Sequence, residues 1–119
     1  MPKVTSKLCM QKDLGVNNNL FGGFLLQWCD ECAAIYAHQV TGERRMVTKK
    51  FSEFEFHSPV KVGDILEFYC ETKRKGVTSI EIELKVVKEK AIGTCCIVTT
   101  TCVFVCVDEN GYKKAIAWK

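Results

Sequence analysis

Hydrophobic and polar positions change their period along the chain. From Phe24 to about Gln39 apolar residues crowd at helical spacing, and the pattern predicts one long helix. Val40-Thr41-Gly42 ends it, with a glycine just after the last periodic residues. Elsewhere the reading is of strands. Val4 to Met10 forms a short first strand, followed by a loop rich in turn formers, Asp13 to Asn19. Val47 to Phe56 reads as a strand broken by His57-Ser58-Pro59, and Ile65 to Lys75 as a second long one between the turns at Val62-Gly63-Asp64 and Gly76. Thr78 to Lys88 alternates, with Ile80, Ile82, Leu84 and Val86 on one face and Glu81, Glu83 and Lys85 on the other. A further run, Thr94 to Val107, closes at Asp108-Glu109-Asn110-Gly111, and the tail from Tyr112 to Lys119 is short and partly extended. Long strands joined by tight connections pair antiparallel. The expected class is therefore α+β, one helix on one face of one curved sheet of five to six strands.

At 119 residues the chain has room for one core, so a single domain over residues 1–119 is expected. No apolar run reaches the ~20 residues that span a bilayer, and Met1 to Lys7 lacks the apolar stretch of a secretory signal. These features point to the cytoplasm. There the eight cysteines are reduced core thiols and not a disulfide framework. The net charge of +3 is too mild for a dedicated nucleic-acid binder. Basic residues do cluster at Arg44-Arg45, Lys49-Lys50 and Lys73-Arg74-Lys75. Such clusters are either solvated surface or a grip for a polyanion such as a nucleotide phosphate.

The helix is the unusual element. Leu25, Leu26, Trp28, Cys29, Cys32, Ala33, Ala34, Ile35, Tyr36 and Ala37 surround its axis almost completely. A helix apolar all round is buried on all sides, and in so small a protein a second subunit must cover the second face; an obligate homo-oligomer is expected. Asp30 sits mid-helix among these residues. Two readings are open: it points to solvent or pairs with a lysine, or it is a carboxylate placed in a desolvated site for acid–base or nucleophilic work. Gly22-Gly23 at the helix start either serve a tight turn or let a ligand approach unpaired N–H donors that would hold an oxyanion. Seven residues separate Gly23 from Asp30, roughly 10 Å along a helix. A single carbonyl cannot reach both, so joint action requires two subunits with antiparallel helices and equivalent sites at their interface.

At these residues the sequence resembles the hot-dog-fold acyl-CoA thioesterases of the short bacterial acyl-CoA hydrolase type. The matching pieces are Phe21-Gly22-Gly23-Phe24-Leu25-Leu26-Gln27-Trp28-Cys29-Asp30-Glu31-Cys32-Ala33-Ala34-Ile35, Met46-Val47-Thr48, Phe56 to Asp64, Gly76 to Ile80 and Phe104 to Asp108, in family order over most of the chain. The resemblance implies a hot-dog fold, dimers often assembled into hexamers as trimers of dimers, acyl-CoA as substrate, and no metal or cofactor. It carries the active carboxylate onto Asp30 and the carbonyl-polarising amide onto Gly22 or Gly23. It places Gly76, Thr78, Ser79 and Thr48 with the coenzyme contacts. The sequence departs from the pattern twice. Many members carry a catalytic asparagine six residues before the position of Phe21; here Gly15 stands there, and Asn17 is the replacement if the loop is shifted. Many also carry arginine where this chain has Val77, so the phosphate grip passes to Arg44, Arg45, Lys73 or Arg74.

Other signals weigh less. Cys29-Asp30-Glu31-Cys32 lies mid-helix, where packing is its role, and adjacent Cys95-Cys96 lack zinc-site spacing. His38 and His57 have no obvious partner. The rival functions are a hot-dog dehydratase, which wants a histidine beside the acid, and a non-catalytic acyl-CoA binder.

Overall fold

The alternation in the long strands translates directly into a core. The computed structural model describes residues 1–118. It contains β1 (Lys3–Leu8), a short 3₁₀ turn (Gln11–Asp13), α1 (Gly22–Thr41), β2 (Met46–Phe51), β3 (Glu55–Phe56), β4 (Ile65–Lys75), β5 (Ser79–Glu89) and β6 (Thr94–Cys106). The strands form one antiparallel sheet in the order β1-β4-β5-β6-β2, with β3 also pairing with β6. Register places Cys70 beside Leu84 and Ile82 beside Cys102, so the apolar alternates of neighbouring strands share one face. Phe68, Ile80, Ile82, Leu84, Val86, Val98 and Phe104 are all at most 1% exposed there. Each such side chain contributes about 1.5–3 kcal/mol by leaving water.

α1 lies across this face. Leu25, Trp28, Cys29, Cys32, Ala33, Tyr36 and Ala37 are buried against the sheet at intervals of three and four residues. Two contacts tie helix to strand β4: Tyr36 Oη lies 2.8 Å from Thr72 Oγ1, and the Cys32 and Cys70 sulfurs lie 3.6 Å apart. The helix stops where Gly42 takes the left-handed conformation (φ 74°) and donates its N–H to the His38 carbonyl.

Two expectations need correcting. The helix is not apolar all round: its outer face carries Gln27, Asp30, Glu31 and His38, with Leu26 and Ile35 exposed between them. The sheet-facing stripe takes Leu25, Trp28, Tyr36, two thiols and two alanines, while the outer face mixes polar residues with Leu26 and Ile35, so oligomerisation does not follow from the helix alone. Nor is Val47 to Phe56 one strand. The ladder with β6 shifts register between Thr48 and Lys50, β2 stops at Phe51, and pairing resumes at Glu55. The break lets the Phe51 and Phe54 rings stack with centroids 5.1 Å apart.

The chain enters α1 through a braced loop. The buried Asp13 carboxylate accepts the Met10 N–H at 2.9 Å, while its own backbone carbonyl accepts the Phe21 N–H, also at 2.9 Å. The helix tip is thereby held at one end of the sheet and Gly42 at the other.

Candidate active site

Phe21 precedes α1 in extended conformation and offers no side-chain cap. The N–H groups of Gly22 and Gly23 therefore find no acceptor among the described residues, leaving two donors at the positive end of the helix. The two glycines differ in what they require. A Cβ at Gly23 would lie 2.8 Å from the Phe21 ring, so glycine is needed for that ring to sit over the backbone. A Cβ at Gly22 would meet nothing within 4 Å. The fold itself makes no demand for glycine there.

Two turns further along, Asp30 projects from the outer face of α1, exposed in the isolated protomer. The hydroxyl of Thr48, on the neighbouring strand β2, donates to Asp30 Oδ1 at 2.6 Å. That bond ties one carboxylate oxygen and leaves the other free. The surrounding groove, about 510 Å³, is lined by Gly23, Leu26, Gln27, Asp30, Thr48, Phe51 and Phe54. The structure thus brings Gly23, Asp30 and Thr48 onto one largely apolar surface. Thr48 touches the carboxylate itself. Leu26 stands one turn before Asp30 on the same helix face, as the helical spacing gives it. Phe51 and Phe54 escaped the reading of the sequence, where the only signal was phenylalanine recurring through Phe51, Phe54 and Phe56, without a strand period.

Beneath Asp30 lie thiols. Burial raises the Cys29 thiol well above its usual range, and burial followed by the Asp30 charge pushes Cys102 up to about 12. These sulfurs stay protonated and do not serve as thiolate nucleophiles. Neither histidine reaches the groove: His38 Nδ1 is 2.9 Å from the Glu43 carbonyl, and His57 Nε2 is 3.2 Å from Thr99 Oγ1.

The remaining candidates fall elsewhere. Asn17 is exposed near the tip of the loop closed by the Leu14–Leu20 bridge, and is not brought to Asp30 within the protomer. Asn19 instead accepts from Lys61 Nζ and shares a second hollow with Gly22. At the β4–β5 turn, Arg74, Gly76 and Ser79 line a small cavity of about 110 Å³ together with Glu81. Arg44 and Arg45, just past α1, line another of about 240 Å³ with Lys114 and with the acidic residues Glu43, Asp108 and Glu109. Thr78 lies in the same turn as Gly76, and its carbonyl accepts the Cys106 N–H. The site residues therefore separate into a carboxylate group on the outer face of α1 and a second group, of mixed charge, around the β4–β5 turn and the start of β2.

A long helix wrapped by a curved antiparallel sheet, with a carboxylate facing a groove, is the hot-dog architecture. The chain belongs to the thioesterase superfamily, whose family model matches residues 17–95. It is 33% identical over 118 residues to an uncharacterized acyl-CoA thioester hydrolase of Buchnera aphidicola, covering 95% of this chain and 87% of that one. Among solved structures it is similar to the hexameric thioesterase of Yersinia pestis, with a TM-score of 0.91 and 28% identity over 99% of this chain and 97% of that one. It is also similar to a hexameric hotdog-fold thioesterase of Campylobacter jejuni, with a TM-score of 0.85 and 30% identity over 97% and 90% of the two chains. No helix among the described residues is long and apolar enough to cross a membrane.

Proposed function

We propose that this protein hydrolyses acyl-CoA thioesters to free acid and CoA, as one domain in a homo-oligomer, with Asp30 as the active carboxylate. The observation that carries the reading is the Asp30–Thr48 pair: a carboxylate with one oxygen tied and one free, on an apolar groove of a thioesterase fold. The free oxygen either takes a proton from the attacking water or attacks the carbonyl itself; both routes need the same group in the same place. The tetrahedral oxyanion then requires donors, and the unpaired N–H groups of Gly22 and Gly23 supply them. Gly23 and Asp30 stand roughly 10 Å apart along one helix, so the donors come from a neighbouring chain. Collapse of the intermediate expels CoA as thiolate, a good leaving group. On the first route the thiolate takes up the proton held by Asp30; on the second, water then cleaves the acyl–Asp30 anhydride, giving the free acid, restoring the carboxylate and supplying the proton. Nothing in this sequence of steps calls for a metal or cofactor.

Oligomerisation follows from the shared site and from the hexamers of the Yersinia and Campylobacter relatives. Arg44, Arg45 and Arg74, near the Gly76–Ser79 turn, offer cations for the coenzyme's phosphates. A cytoplasmic setting fits eight free thiols. The dehydratase reading lacks its histidine at the groove.

The test is thiol release from a panel of acyl-CoAs. Native protein is expected to turn over at least one member, and Asp30→Ala to lose about a thousandfold in kcat with its oligomeric state unchanged. Full activity in Asp30→Ala refutes the assignment.

A further inference from the structure

The last residues of the chain do something the strand pattern does not require. After β6 the backbone reverses at Asp108–Gly111, where the Asp108 carboxylate accepts the Asn110 and Tyr112 N–H groups, and the tail runs back toward the β4–β5 turn. There it binds that turn carbonyl by carbonyl. Trp118 Nε1–H donates to the Gly76 carbonyl at 3.0 Å, and the Ile116 N–H donates to the Val77 carbonyl at 2.8 Å. The next carbonyl, of Thr78, accepts the Cys106 N–H at 2.8 Å. All three carbonyls of the turn are thus drawn inward. The Val77 and Thr78 N–H groups find no acceptor among the described residues.

The tail is itself anchored. Glu43, just past α1, accepts from Lys114 Nζ at 3.0 Å and from the Ala117 N–H at 3.1 Å. Trp118 also places charge: the Lys75 ammonium lies 5.1 Å from its ring centroid. A turn with its carbonyls tied back, consecutive N–H groups free and an ammonium held beside it has the chemistry of an anion cradle.

We propose that the C-terminal tail, through Trp118, Ile116 and Glu43, shapes the β4–β5 turn so that it receives the phosphates of the coenzyme portion of the substrate. Trp118 is a positioning residue: it touches the turn, not the ligand. The inference rests on the acyl-CoA reading above. It also accounts for a turn that carries Val77 and no arginine, because backbone donors and Lys75 take over the grip.

The experiment is calorimetric titration of CoA, and of pantetheine, which lacks the phosphates, into native protein, Trp118→Phe and Trp118→Ala. Trp118→Phe keeps the ring and loses only the N–H, so CoA should bind about fivefold more weakly. Trp118→Ala also releases Lys75, and CoA should bind about twentyfold more weakly. Pantetheine affinity should stay within twofold, roughly the noise of context effects. Unchanged CoA affinity in both variants overturns the proposal, as does an equal loss for CoA and pantetheine, which is what general unfolding of the tail would give. Native protein that binds no CoA overturns it together with the function it rests on. Native protein that binds CoA but hydrolyses no acyl-CoA overturns the function alone.

Discussion

Thr48 decides how freely Asp30 moves. An aspartate on the exposed face of a helix samples several rotamers; one short bond from a strand-borne hydroxyl selects one of them. Removing that hydroxyl should cost catalysis more than binding. Thr48→Ala is expected to lower kcat about tenfold, the worth of one hydrogen bond to a charged group, while Thr48→Ser stays close to native. Steady-state thiol release measures both, and equal kcat in all three proteins would show that the pair is incidental. Asp13 plays a structural part at the same scale. The Met10 N–H, opposed by burial and aided by Lys12, holds its carboxyl below the usual range. Its folded pKa is thus lower than the unfolded value of about 3.9, so its stabilisation is complete above that value and is lost as pH falls through the folded one. Urea midpoints measured from about pH 5 downward should therefore fall less steeply with acid in Asp13→Asn than in native protein. Parallel acid profiles would remove Asp13 from the entry brace.

Among the elements, those with the most regular period were legible in the residues alone. Ile65–Lys75 appears as expected, and β5 is displaced by one residue from the alternation that announced it. The left-handed Gly42 ends the helix where a glycine should. Other features depend on contacts between parts distant in the chain. The break after Phe51 is fixed by two stacked rings and a bulge against β6, and neither leaves a local signature. Counting apolar residues on α1 showed how many there are but not which way Leu26 and Ile35 face. Asp30 stood out because an acid is a poor mid-helix residue, whereas its partner Thr48 was marked only by the family resemblance, as a coenzyme contact, until the fold set its hydroxyl on the carboxylate. Trp118 and Glu43 gave no sign of their role, since the bonds they make join segments tens of residues apart. The cysteines were read by their neighbourhood, and a prediction follows for the sheet and helix that bury them. Cys9, Cys29, Cys32, Cys70, Cys102 and Cys106 are each at most 1% exposed, and Cys95 and Cys96 are half-buried. An aromatic disulfide reagent should therefore modify no more than these last two in native protein and all eight after denaturation. Rapid reaction of further thiols would contradict the sealed core.

The molecule as a whole presents half of what the chemistry requires at each place. One chain supplies a carboxylate on a groove, and the same helix supplies free donors too far away to meet the same carbonyl. The most direct test of this division uses two variants in one assembly. Gly22→Pro removes one donor at little cost to the fold: Gly22 is the first residue of α1, its N–H bonds to nothing described, and Phe21 at φ −64°, ψ 128° already has the conformation that precedes proline. Asp30→Ala removes the acid. Each variant alone should lose at least about a hundredfold in kcat. If the site is shared, chains carrying Asp30→Ala and chains carrying Gly22→Pro, coexpressed in equal amounts and purified as mixed oligomers, should recover about one quarter of native activity, because half the dimers hold one intact site of two. Mixed oligomers no more active than their parents, or a Gly22→Pro parent with undiminished turnover, would contradict the account.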